Sequence, residues 1–92
     1  MKIARAHLVI EGRVQGVFYR AFTRNLATKI GINGWVKNLY DGRVEALFEG
    51  RREVIERAIQ ECWRGPAGSS VRNIDVRWEE PTAEFKGFEI RY

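Results

Sequence analysis

Two stretches with a helical repeat, residues 18–30 and 51–63, are interleaved with segments of strand character, and this alternation constrains the fold more than any other feature of the chain. In the first stretch Phe18, Phe22, Leu26 and Ile30 recur at every fourth position, with Arg20, Arg24 and Lys29 off the stripe. Gly31 follows, where a helix end favours a left-handed residue. In the second, Val54, Ile55, Ala58, Ile59, Cys62 and Trp63 recur as adjacent pairs four apart, and Gly65-Pro66 ends the run. Residues 6–14 hold Leu8, Val9 and Ile10 in partial alternation and read as a strand that ends in the glycine-bearing stretch 12–16. Trp35, Val36 and Leu39 mark a second strand, and Asp41-Gly42 reads as a two-residue turn into a third at 43–48. Residues 65–70 are loop by composition. Residues 71–79 set Ile74, Val76 and Trp78 against polar neighbours with a period of two, and residues 87–92 alternate again as a short edge strand.

The order is therefore strand, helix, strand, strand, helix, strand and a terminal strand. Right-handed crossovers place both helices on the same side. The expected fold is α+β, a ferredoxin-like split βαβ sandwich: βαββαβ plus a short C-terminal edge strand, with two helices on one face of an antiparallel sheet. The other face is expected to stay open. This architecture hosts enzymes, RNA binders and metal carriers, so function has to be read from particular residues.

A chain of 92 residues reads as a single domain, 1–92, and 45% hydrophobic residues suffice for one core. Cys62 is the only cysteine, which excludes a disulfide within the chain and a cysteine-based zinc site. No stretch reaches the roughly 20 apolar residues of a membrane span, and Lys2 and Arg5 come too early for a secretory leader. The expected setting is cytoplasmic. Charge is uneven along the chain: residues 1–40 carry seven basic residues against one acid, Glu11, for a net +6, whereas residues 41–92 carry nine basic and eleven acidic, for −2. The positive field of the first 40 residues suits an anionic partner: a nucleic acid, a membrane surface or a small phosphorylated molecule.

The junction between the first strand and the first helix runs Gly12-Arg13-Val14-Gln15-Gly16-Val17-Phe18-Tyr19-Arg20. Glycines at 12 and 16 allow positive φ and close approach, so consecutive N–H groups can converge on an anion at the positive end of a helix. Arg20, in the first helical turn, presents a planar fork that matches two phosphate oxygens. The same residues are also compatible with an ordinary glycine turn and a solvated surface arginine. The run is neither a Walker A sequence nor a dinucleotide-binding fingerprint. Asn38, just before the hairpin, suits turn chemistry, and its uncharged amide equally suits orienting a water beside an anion.

At this point the sequence closely resembles the acylphosphatase family, over essentially the whole chain. The family pattern G-x-V-Q-G-V-x-[FY]-R stands at Gly12, Val14, Gln15, Gly16, Val17, Tyr19 and Arg20. The pattern G-[FWY]-V-x-N-x-x-x-G-x-V stands at Gly34, Trp35, Val36, Asn38, Gly42 and Val44, and the Gly87-Phe88-Glu89-Ile90-Arg91 ending is also similar. The resemblance implies cleavage of the carboxyl-phosphate bond of acyl phosphates to a carboxylate and inorganic phosphate. It implies that Arg20 binds the phosphate, that Asn38 orients the attacking water, and that the backbone of Gln15, Gly16, Val17, Phe18 and Tyr19 holds the phosphate oxygens. Leu39 departs from the threonine that many members carry, Phe18 is bulkier than the residue of some relatives, and Tyr19 replaces the commoner phenylalanine.

No His, Cys, Asp and Glu residues stand at metal-ligand spacing, so no metal and no cofactor is expected. No general base is evident beside Asn38, and the bound phosphate's own oxygens are expected to take the proton of the water. Cys62 reads as a buried hydrophobe, His7 as a mid-strand residue away from the motif, and Trp35, Trp63 and Trp78 as core and sheet-face packing residues in preference to base-stacking platforms. The charges along 51–64 read as a solvated, ion-paired helix face. The expected partner is a small acyl phosphate, with no nucleic acid and no membrane, and the chain is expected to be a monomer. The competing readings are a nucleic-acid-binding module and a non-catalytic phosphate-binding module, the latter as in the acylphosphatase-like domain of larger hydrogenase-maturation enzymes. The third strand offers Arg43, Glu45, Leu47 and Glu49 on alternate positions, which is poor material for stacking bases.

Overall fold

The computed structural model describes residues 2–92. Its elements are β1 (Ile3–Arg13), α1 (Tyr19–Ile30), β2 (Asn33–Asn38), β3 (Val44–Arg51), α2 (Arg52–Arg64), β4 (Ser70–Glu79) and β5 (Phe88–Arg91). The five strands form one sheet in the order β4-β1-β3-β2-β5. β3 lies antiparallel between β1 and β2, and β1 lies antiparallel between β3 and β4, so each helical crossover skips one strand, as the split βαβ arrangement requires. One departure from an all-antiparallel sheet is β5, which pairs parallel to β2 through Gly34 with Phe88 to Lys37 with Arg91. The chain leaves β4 at one edge and must cross the sheet to add β5 at the other, which sets the direction of the last strand.

The core forms where Ala4, Ala6, Leu8 and Ile10 of β1, Val36 of β2, and Val44, Ala46 and Phe48 of β3 meet Ile55, Ala58 and Cys62 of α2. Alternation along β1 sends every second residue toward the helices, and the intervening positions are only half-buried. On α1 the buried line is Tyr19, Thr23 and Ala27, one residue round from the expected stripe; Phe22, Leu26 and Ile30 flank it half-buried, and Phe18 falls outside the helix. Small side chains at 23 and 27 let the helix lie close to the sheet, and the Thr23 hydroxyl is satisfied by donating to the Tyr19 carbonyl at 2.9 Å. α1 closes with Gly31 at φ 82°, the Gly31 and Ile32 N–H groups both donating to the Ala27 carbonyl.

Three further expectations change. The hairpin is not a two-residue Asp-Gly turn: Leu39 N–H donates to the Arg43 carbonyl at 2.8 Å, leaving a three-residue loop, 40–42, with Gly42 left-handed at φ 96°. Trp63 and Trp78 are 45% and 37% exposed, so neither is a core residue; the Arg52 guanidinium lies 4.0 Å over the Trp78 ring. The face away from the helices is not fully open either. Residues 80–87 cross it from β4 to β5, and the buried Glu49 carboxylate accepts the N–H groups of Thr82 and Ala83 at 2.8 and 3.0 Å. Arg5 and Arg91 lie over the Phe85 ring of the same segment.

Candidate functional site

Residues 14–18 connect β1 to α1, and their geometry follows from three local facts. Gly12 sits at a register shift between β1 and β4, where a Cβ would run into the Ser70 carbonyl; its close neighbour is thus the adjacent strand. Val14 is buried and fixes the near end of the loop. Gly16 at φ 75° and Phe18 at φ 63° are both left-handed, which curls the loop around its own N–H groups. Among the described residues no backbone carbonyl takes up the N–H groups of Gln15 to Tyr19. Phe18 supplies no side-chain cap to α1 and the first turn holds no acid, so the positive end of the helix is uncompensated.

Arg20 is the second residue of α1. Its guanidinium lies 5.0 Å from the centre of the Tyr92 ring, and among the described residues it makes no ion pair. Asn38, the last residue of β2, pairs with Val44; its side-chain Oδ1 is buried with no hydrogen-bond partner. Both side chains line one cavity of about 340 Å³, together with Gln15, Gly16, Phe18, Tyr19, Ala21, Ile90 and Tyr92. Gln15, Gly16, Phe18, Tyr19, Arg20 and Asn38, all expected from the sequence, are thereby brought together. Val17 is not among the lining residues; its side chain packs against the core.

The sequence reading missed two contributions. The Gln15 side chain bridges the loop to the hairpin, its Nε2 donating to the Leu39 carbonyl at 2.8 Å and the Arg43 carbonyl at 2.9 Å. It therefore ties the strand end that carries Asn38 to the loop that precedes Arg20. The second contribution is β5 and its end, which bring Ile90 and Tyr92 to the cavity. Only their place in the last alternating segment signalled them, and nothing there indicated which strand edge β5 would join.

Burial or a bonded neighbour keeps Tyr19, Cys62 and Asp41 from acid–base work near neutral pH. Burial, with help from Cys62, pushes the Tyr19 hydroxyl far above its ordinary range, and that hydroxyl donates to the Cys62 carbonyl at 2.6 Å. Burial likewise pushes the Cys62 thiol up to about 12, so it is no nucleophile near neutral pH. His7 is outside the cavity, on the opposite sheet face, with Nε2 2.6 Å from Glu45 Oε2. Asp41 is engaged by Arg43 Nε at 2.8 Å and its carboxyl is held low by that bond, which leaves it a poor base. Among the described residues no three His, Cys, Asp or Glu side chains converge as metal ligands, and no helix is long and apolar enough to cross a membrane.

A small α+β domain whose cavity at the start of α1 gathers an arginine without an ion pair, an asparagine with an unpartnered Oδ1 and a curled loop of free N–H groups has its candidate site there. Comparison with known proteins narrows the class. The acylphosphatase family model matches residues 6–90. The chain is 53% identical over 90 residues to the acylphosphatase of Roseiflexus sp. (strain RS-1), covering 98% of this chain and 97% of that protein. It superposes on the crystal structure of acylphosphatase from Bacillus subtilis with a TM-score of 0.94 and 35% identity, covering 97% of this chain and 99% of that one. Full-length HypF in its phosphate- and nucleotide-bound form is also similar, with a TM-score of 0.86 and 32% identity, but this chain covers only 12% of it. The chain belongs to the acylphosphatase family, hydrolases that act on acid anhydrides.

Proposed function

We propose that this chain hydrolyses the carboxyl-phosphate bond of small acyl phosphates without a metal or cofactor. The N–H groups of Gln15, Gly16, Val17, Phe18 and Tyr19 hold the phosphate oxygens, Arg20 binds them from the side, and Asn38 positions the water. The observation that carries this reading is the shared cavity in which an arginine without a carboxylate partner and an asparagine with an unpartnered Oδ1 line the start of α1. Such groups are costly to leave unmatched in the free protein and useful toward an anion and a water.

In the reaction the water oxygen bonds to phosphorus as the bond from phosphorus to the acyl oxygen breaks. The electron pair leaves with the carboxylate, and the water's proton passes to a phosphoryl oxygen. The protein's share is positioning and charge stabilisation: no side chain needs to change protonation. The reading treats residues 1–92 as one monomeric, cytoplasmic unit with inorganic phosphate as its second product.

The test is hydrolysis of benzoyl phosphate. Arg20→Ala and Asn38→Ala are each expected to lower kcat/KM by roughly 10²-fold or more while far-ultraviolet circular dichroism is unchanged. A chelator is expected to change nothing. Full activity in the Asn38 variant refutes the water-positioning role, and phosphate binding without turnover in the parent protein selects the non-catalytic module instead.

A further inference from the structure

We infer that the Tyr19 hydroxyl is a positioning group for the anion loop: by donating to the Cys62 carbonyl it fixes the N–H groups of residues 15–19 against the last turn of α2. This role rests on the phosphate-holding function proposed for the same loop. Cys62 lies in that last turn, and residue 66, which would close the next helical bond onto its carbonyl, is a proline without an N–H. Gly65, at φ 62° and ψ 179°, turns the chain off the helix, and its own N–H goes to the Glu61 carbonyl. The Cys62 carbonyl is thus left for a side chain, and the Tyr19 hydroxyl reaches it at 2.6 Å from the start of α1, 43 positions away in the chain.

The loop needs such a hold. Phe18 sits left-handed at φ 63°, a conformation that persists in a bulky residue only where its neighbours enforce it. Its own side chain is 84% exposed and caps nothing, whereas Tyr19 beside it is 1% exposed. The Tyr19 ring lies so close to Gly65 that a Cβ there would come within 3.1 Å of its Cε2. A Cβ on Gly68 would meet Val17 Cγ1 at 3.8 Å, and Gly12 runs against the Ser70 carbonyl. Residues 62–70 therefore form a floor under the loop from Gly12 to Tyr19, and the Tyr19 hydroxyl supplies the hydrogen bond at its far end. A cradle already held in shape before the anion arrives costs less to fill.

Tyr19→Phe removes the bond and keeps the ring. Inorganic phosphate, titrated calorimetrically at a temperature where circular dichroism shows the variant fully folded, is expected to bind it at least about fivefold more weakly than the parent. With benzoyl phosphate, KM is expected to rise in parallel while kcat stays within about twofold, because Asn38 is held by β2 and the Gln15 bridge. Ile55→Val, a deletion at a fully buried position about two turns earlier in α2, is the control: it also lowers stability, and phosphate affinity is expected to be unchanged. Coupling is reciprocal, so saturating phosphate should slow hydrogen exchange at the Ser69 N–H, which bonds the Pro66 carbonyl within the floor, in the parent and not in the phenylalanine variant. The Ser69 response of the parent tests the contact even where a variant is unstable. Parental phosphate affinity in folded Tyr19→Phe, an equal loss in Ile55→Val, a fall in kcat with KM unchanged, or Ser69 exchange that phosphate affects alike in parent and variant, or not at all in the parent, overturns the inference. If phosphate binding depends on Tyr19 as expected but benzoyl phosphate is not hydrolysed, the proposed reaction fails and the positioning role stands; if phosphate does not bind the parent, both fail.

Discussion

Replacing Gln15 with methionine keeps the length and flexibility of the side chain and removes both of its donors. The amide gives up bonds of 2.8 Å to the Leu39 carbonyl and 2.9 Å to the Arg43 carbonyl. Neither carbonyl is then orphaned: Arg43 still accepts from Leu39 N–H at 2.8 Å, and Leu39 from Gly42 N–H at 3.3 Å. The loss is therefore the net worth of two half-buried bonds, about 1 kcal/mol each, and not the larger cost of stranding a carbonyl. A total of about 2 kcal/mol corresponds to a fall in Tm of roughly 10 °C for a domain of this size. Gln15→Glu should be worse, because it turns a carboxylate oxygen toward the same two carbonyls. In steady-state hydrolysis of benzoyl phosphate, kcat should fall more than KM changes, since Asn38 directly precedes Leu39 and loses its support while Arg20 does not. Urea unfolding of the two variants alongside the parent measures the stability part. A methionine variant within about 0.5 kcal/mol of the parent, or a glutamate variant as stable as the methionine one, would refute the bridging role.

Glu49→Ala removes the carboxylate that holds the N–H groups of Thr82 and Ala83, and should cost about 3 kcal/mol because charge-assisted bonds are being lost under cover. Hydrogen exchange should show residues 80–87 losing protection first; unchanged protection there would contradict the clamp. Alkaline pH provides a third check. Burial raises the Cys62 thiol from 9.0 to about 12, so between those values the folded chain holds a proton that the unfolded chain has released. Stability should be fully present below pH 9 and decline as pH rises from there toward 12, with Tyr19 acting in the same direction above pH 10. Urea titrations at pH 8 and 10.5 measure the decline, and Cys62→Ala should make it shallower.

Much of the architecture was legible because its signals are local. The period of two along β1, the paired apolar positions of α2 and the glycines at helix ends each follow from backbone geometry within a few residues. Asn38 and Arg20 stood out for a different reason, as parts of two spaced motifs, and the fold brings both to one cavity. The α1 stripe was misplaced by one residue because large side chains dominated the pattern, whereas Thr23 and Ala27 are buried for being small. Trp63 and Trp78 were misread because a tryptophan can sit half-exposed at the edge of a surface, Trp78 with an arginine over its ring, and still keep the period of its element.

The sequence by itself determined the element order, the handedness of the crossovers and the residues that could meet an anion, since these depend on periodicity, turn chemistry and side-chain type. Tertiary structure alone decided three things: that the Gln15 side chain joins the loop to the hairpin, that Glu49 clamps the crossing segment, and that β5 joins β2 in parallel and brings Ile90 and Tyr92 to the cavity. Each is a contact between residues at least 24 positions apart in the chain. Closing loops of that length leaves no local pattern, and such a pairing is chosen only when the whole sheet offers its bonds and surfaces at once.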